Sequence, residues 1–333
     1  MKKVIASLIG VLLLASFLTM VLPWIFEFSK QNKNVRLAVE FNVHAAPVYI
    51  AEHFGWFKDE GLNVTAFNSY VTGVALANAL ARGDVDAAYV CLGPVLISYS
   101  RGVDIVIVAG THFHGYALVG KLDINSPKDM EGKRIGIVEP GSNADILFYL
   151  LLERYNLNKT RIDVRRANPP LLVTLLRTGQ VDAIVVPEHW ATVAAVSGTF
   201  HVIVKSQDVW PNMQGSVLVV RREIIEKSPE IVMKLVKITK KGIEYIKNNK
   251  EDASRILSER LRSVSAIGVE PELLKETSQL ISPDTIKKSI DNLDYSINLN
   301  AESIKNYLDL LNKMGYIDKI INVEEVVDTR FLK

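Results

Sequence analysis

The chain has 333 residues, 48% of them hydrophobic, which suits two lobes of roughly 100–200 residues each. Its 39 basic and 37 acidic side chains nearly cancel to a formal +2, which argues against a dedicated nucleic-acid binder with a strongly basic face. A lone cysteine, Cys91, excludes an internal disulfide, and no C-x-x-C or Cys/His cluster suggests zinc, so neither a metal nor a cofactor is expected.

Met1-Lys2-Lys3 opens the chain, followed by an apolar run from Val4 to Leu22 and then Pro23-Trp24-Ile25-Phe26; the next charge is Glu27. The run is close to the ~20 residues of a spanning helix and longer than the ~7–15 apolar residues of a signal peptide. Lys2 and Lys3 would stay inside, with Trp24 and Phe26 at the far interface. Residues 1–27 therefore read as a membrane-anchor or signal helix and 28–34 as a tether, placing the rest on the outer face of a cell membrane. No cysteine directly follows the run, which excludes a lipoprotein anchor.

From Val35 onward, short β-rich runs alternate with helical stretches. Predicted strands are Val35–Val39, Asn63–Phe67, Val85–Val90, Ile105–Ala109, Tyr116–Val119, Arg134–Val138, Ile162–Arg166, Val181–Val186, His201–Val204 and Ser216–Val220. Gly93-Pro94 opens one helix and Gly102 closes it; Asn168-Pro169-Pro170 and Gly179 bound another. This alternation indicates an α/β fold of mostly parallel sheets flanked by helices. Ile224–Ile246 carries apolar residues at helical spacing, as a surface helix would.

The sequence also echoes itself. ANALARGDVDAAYV at Ala77–Val90 and VTLLRTGQVDAIVV at Val173–Val186 align at an offset of 96, and Arg36–Val39 aligns with Arg134–Ile137 at 98. Two near-equal offsets suggest two lobes of one topology. The first part of lobe 1 is expected at 35–118, lobe 2 at 119–215, and a return to lobe 1 with C-terminal helices at 216–333. Crossings near Tyr116–Lys121 and Trp210–Ser216 would make a hinge. Asp86 and Asp182, at matching positions before a strand, read as turn formers.

In such sheets, ligands bind beyond the carboxyl ends of the strands, near helix N-termini. Candidate ligand contacts in those loops are Asn42, His44, Tyr70, Thr72, Cys91, Thr111, His112, Gly141, Ser142, Asn143, Glu188 and His189. Ser142, three residues before Asp145, also fits a capping box. The His112-x-His114 spacing lacks an acidic partner for a metal, and no G-x-S-x-G, G-x-G-x-x-G or Walker motif is present, so no catalytic residue is expected.

The stretch Ala46-Pro47-Val48-Tyr49-Ile50-Ala51-Glu52-His53-Phe54-Gly55-Trp56-Phe57-Lys58-Asp59-Glu60-Gly61-Leu62 resembles the nitrate/sulfonate/taurine-type family of ABC-transporter solute-binding proteins. So do Leu80–Ala88, Gly132–Ile137 with Pro140-Gly141-Ser142, and Gly179–Ala183 with Pro187-Glu188. The resemblance spans about Val35 to Asn249. It implies a periplasmic-binding-protein type II fold, a small solute held between hinged lobes, and delivery to an ABC permease and its ATPase by a monomer. The solute would be a sulfonate, a nitrate-like anion or a heteroaromatic vitamin precursor. A same-fold biosynthetic enzyme of the thiamine-pyrimidine or menaquinone type is the alternative, against which the N-terminal apolar run argues. A Glu188 carboxylate turned inward would disfavour a simple anion and favour an amine or protonated ring.

Overall fold

A computed structural model describes residues 34–263 and 265–333. The predicted N-terminal helix lies outside the described residues, among which no helix is long and apolar enough to cross a membrane.

The ten predicted strands all form, with slightly shifted ends, and two short ones join them. In chain order they are β1 (Asn34–Glu40), β2 (Asn63–Tyr70), β3 (Ala87–Cys91), β4 (Ile105–Gly110), β5 (His112–Phe113), β6 (Tyr116–Lys121), β7 (Arg134–Ile137), β8 (Asp163–Arg166), β9 (Ala183–Pro187), β10 (Phe200–Lys205), β11 (Ser216–Arg221) and β12 (Asp294–Tyr295). They build two five-stranded sheets, β2-β1-β3-β11-β4 and β10-β6-β9-β7-β8. Strands β1 and β3 run parallel, as do β7 with β8 and β9. The exceptions are the strands next to the crossings: β11 is antiparallel to β3 and β4, and β6 to β9 and β10.

Burial explains the composition of each strand. Strands β3, β4 and β9 are covered on both faces and are apolar throughout, whereas edge strand β8, Asp-Val-Arg-Arg, is largely exposed and charged. The predicted surface helix is two helices, Arg222–Lys227 and Pro229–Asn248, because Pro229 starts a new helix after Ser228. The longer one buries Ile231, Leu235, Ile238, Ile243 and Ile246 and packs against the helix Ala46–His53. Tyr89 reaches it from β3, its hydroxyl 2.9 Å from Thr239 Oγ1.

Asp86 and Asp182 do more than form turns. Asp86 accepts the Arg36 backbone N–H at 2.8 Å and the Arg36 guanidinium at 2.5 and 3.1 Å. Asp182 does the same for Arg134 at 3.0, 3.0 and 2.8 Å, and also takes Lys121 Nζ at 2.6 Å. Each aspartate clasps the entry to its neighbouring parallel strand at the sheet end away from the helix N-termini. Arg134, helped by Lys121, holds the Asp182 carboxyl well below the usual carboxylate range.

Candidate functional site

Strands β1, β3, β7 and β9 each end at a seam between the two sheets, and a helix or 3-10 turn starts just beyond each end. Local capping sets the geometry there. Asn42 Oδ1 accepts the His44 N–H at 2.9 Å, which turns His44 inward. Thr72 caps the helix Gly73–Arg82 through Ala75 N–H at 3.3 Å. Ser142 caps the helix Asn143–Tyr155 through Asp145 N–H at 3.2 Å. The Asp145 carboxylate leaves the expected reciprocal bond unmade. It takes Gly141 N–H at 3.0 Å, the Tyr316 hydroxyl at 2.6 Å and Arg166 at 2.5 Å instead.

The seam is closed. Asn143 Oδ1 accepts Gly93 N–H at 2.8 Å, and its amide donates to the Gly215 carbonyl at 3.4 Å. Gly141 takes a left-handed φ of 79°, which L side chains resist. Glu188 Oε1 accepts Thr192 Oγ1 at 2.6 Å and the Asn292 amide at 2.9 Å, while Asn292 Oδ1 accepts Lys205 Nζ at 2.6 Å. Phe41 lies edge-on to His189 at 6.3 Å and 6.0 Å from Trp190, whose ring is 4.2 Å from that of His189.

What distinguishes this seam from an ordinary packed interface is its unpaired polar atoms. Both ring nitrogens of His44 and of His189, Trp190 Nε1, the Tyr116 hydroxyl, Ser216 Oγ and Glu139 Oε2 are buried without a hydrogen-bond partner. Buried polar groups are normally satisfied, so such a concentration marks where a bound molecule would supply partners. Burial pushes Glu40 up to about 7, although it accepts Cys91 N–H at 3.1 Å. Burial likewise pushes Glu188 up to about 7 and raises Glu139 and the Cys91 thiol. The same desolvation lowers His44 strongly and His189 to about 3. No lysine or arginine is buried among the described residues.

The structure thus brings Asn42, His44, Thr72, Cys91, Gly141, Ser142, Asn143, Glu188 and His189 to one seam. It treats the other three candidates differently. Tyr70 serves through its backbone: its carbonyl accepts Phe41 N–H at 2.7 Å, and it bridges to Ile267. Thr111 and His112 belong to the crossing between the sheets. Thr111 Oγ1 donates to the Ser216 carbonyl at 3.1 Å, and His112 Nε2 accepts Ser216 N–H at 3.1 Å. The H-x-H spacing does not put two rings on one strand face, because His114 has a φ of 65° and ends the strand pairing. Among the described residues, no three His, Cys, Asp or Glu side chains are placed to share a metal.

Sequence reasoning missed Glu40, Phe41, Tyr116, Glu139, Trp190 and Asn292. One signal was available. Val39-Glu40 and Val138-Glu139 each put a carboxylate just after an apolar strand, Glu139 one residue later than the offset of 98 would place it.

The NMT1-like family model matches residues 29–261. A putative aliphatic sulfonates-binding protein of Bacillus subtilis is 24% identical over 315 residues, covering 91% of this chain and 88% of that protein. A taurine-binding periplasmic protein of Escherichia coli is 26% identical, covering 62% of this chain and 65% of that one. The crystal structure of the periplasmic aliphatic sulphonate binding protein of Escherichia coli superposes with a TM-score of 0.71 at 16% identity, over 88% of this chain and 96% of that one. The architecture is that of the periplasmic binding proteins, with two helix-flanked sheets.

Proposed function

Because the chain belongs to the NMT1-like family, we propose that it is the extracytoplasmic solute-binding component of an ABC importer. It closes two lobes on a small solute and, as a monomer, hands it to a permease and its ATPase. The observation that carries this reading is the closed seam with its buried, unpartnered side chains. A solute entering there would satisfy His44, His189, Trp190, Tyr116 and Glu139 at once, from both lobes. Names of relatives support it, since they are binding proteins for sulfonates and taurine.

The electrostatics favour the third of the expected solute classes. A nitrate or sulfonate would sit among Glu40, Glu139 and Glu188 with no free cation. Arg166 is taken by Asp145 and the Val138 carbonyl, and Lys205 by Asn292. A neutral or protonated nitrogen heteroaromatic suits this seam better. It can donate to carboxylates, accept from Trp190, and lie against the rings of Phe41 and His189.

A thermal-shift screen of the full chain in detergent tests this, with nitrate, taurine, methanesulfonate, bicarbonate and aminopyrimidines as probes. A true solute raises the melting temperature by mass action. Aminopyrimidines are expected to give saturable stabilisation and the inorganic anions none. Saturable stabilisation by nitrate or taurine alone would overturn the assignment of solute class. Chemical conversion of a bound probe would favour the biosynthetic-enzyme alternative.

The Val4–Leu22 run supports anchoring of this binding protein by its own N-terminal helix, with 28–34 as the tether. Alkaline washing of membranes checks it: the chain is expected to stay in the pellet, and release of a shortened chain would mean a cleaved signal.

A further inference from the structure

The two crossings between the lobes form a small sheet of their own. In it β12 pairs with β5, and β5 faces the segment Met213–Ser216. Thr111 N–H donates to the Ser216 carbonyl at 3.0 Å, Gly215 N–H to the His112 carbonyl at 3.1 Å, and His114 N–H to the Met213 carbonyl at 2.8 Å. Left-handed backbone follows on the lobe 2 side, at His114 and Gly115 in one crossing and Asn212 in the other. Rotation between lobes is concentrated at such sites.

The His112 ring sits at the centre of this arrangement. Its Nε2 accepts Ser216 N–H, so Nδ1 carries the proton and donates to the Phe113 carbonyl at 3.2 Å. Its other face lies 4.2 Å from the ring of His44, which belongs to the seam. A glycine from each crossing makes room for the pair. A Cβ on Gly215 would come within 2.1 Å of the His112 ring, and one on Gly115 within 2.8 Å of His44 Nε2 and 3.0 Å of His112 Cε1.

We propose that His112 is the positioning residue of lobe closure: as a neutral ring it ties the second crossing to the first and braces His44, so that protonating it opens the lobes. A proton on Nε2 would turn the acceptor for Ser216 N–H into a competing donor. The groups facing the ring are His44 from the loop after β1, His114 from its own segment, Tyr295 from β12 at 6.4 Å, and Ser216 N–H from the other crossing. No carboxylate is among them to balance a proton. Burial lowers His112 to about 3 from an ordinary 6.5, so its support for closure is complete above pH 6.5 and is lost as the pH falls below it.

This inference rests on two closing lobes and not on the identity of the solute. The test is therefore run without solute, and failure of the solute screen leaves it untouched. Spin labels at Leu122 and Met233, both exposed, report the lobe-to-lobe distance of the full chain in detergent, in a Cys91→Ala background. Between about pH 7.5 and 5.5 the ratio of closed to open molecules is expected to fall about tenfold further in the unsubstituted chain than in His112→Gln, as for one proton taken up by this ring on opening beyond the exchanges at His44, His189, Glu40 and Glu188 that both share. His112→Gln offers a non-titrating acceptor to Ser216. It is expected to stay closed at the higher pH and to lose that tenfold share of the acid response, whereas Thr111→Val, which removes a hinge bond that does not titrate, keeps it. An acid response in His112→Gln equal to that of the unsubstituted chain overturns the proposal. Should His112→Gln fail to fold, histidine nitrogen NMR of the unsubstituted chain decides instead. A His112 ring that titrates near 6.5 while the labels stay close would overturn it as well.

Discussion

The two lobes repeat the same device at one end of their sheets and diverge at the other. At the far end each holds an Arg–Asp clasp, Arg36 with Asp86 and Arg134 with Asp182, made from the same three hydrogen bonds. At the seam end the corresponding positions carry different chemistry. Lobe 1 offers Asn42, His44 and Cys91, while lobe 2 offers Ser142, Asn143, Glu188, His189 and Trp190. A clasp has one task, joining parallel strands, and one solution serves both halves. A seam that grips an asymmetric solute must present a different set of groups from each side.

This contrast is sharpest where it predicts unequal losses of stability. Asp182→Asn leaves two cations, Arg134 and Lys121, without their carboxylate, so a cost of about 3 kcal/mol is expected in urea unfolding. Asp86→Asn frees only Arg36 and is expected to cost about 2 kcal/mol. Equal costs would mean that Lys121 adds nothing to the second clasp.

At the seam the sign reverses. Glu188 is raised to about 7 from an ordinary 4.5, so its contribution to folding is present below about pH 4.5 and lost as the pH rises through 7. Glu188→Gln still accepts from Thr192 and Asn292, and is expected to stabilise the protein by about 1–2 kcal/mol at pH 8 and by nothing at pH 4. A pH-independent difference between the two proteins would refute the assigned ionisation. The smallest effect on folding belongs to His44→Phe and His189→Phe. The cost there is that of fitting a larger ring into a filled interior, about 1 kcal/mol, rather than that of breaking a side-chain hydrogen-bond network. Affinity for a solute found by the screen should fall at least about tenfold, and full affinity in both variants would remove these rings from the site.

The succession of strands along the chain and the α/β fold class were legible because buried strands carry apolar runs and because capping residues such as Asn168 are local signals. The clasps were only half legible: Asp86 and Asp182 stood out by position, but their partners lie 50 and 48 residues away. Two-residue strands such as β5 and β12 carry no periodicity, so the small hinge sheet was invisible, and with it the role of His112. Trp190 and Phe41 lie in strand-end loops by sequence and are buried in the structure. Only the unpaired indole nitrogen and the neighbouring imidazoles reveal that this part of the interior is shared between lobes.

Cys91 adds a last consequence. It is the sole thiol of the chain, buried where β3 meets the seam, and it donates its backbone N–H to Glu40. An alkylating reagent can reach its sulfur only when the halves part, because burial both shields the thiol and holds it in its unreactive protonated form. The rate of modification is therefore a stopwatch already built into the unaltered protein, running while the jaws are open and stopping when cargo holds them shut.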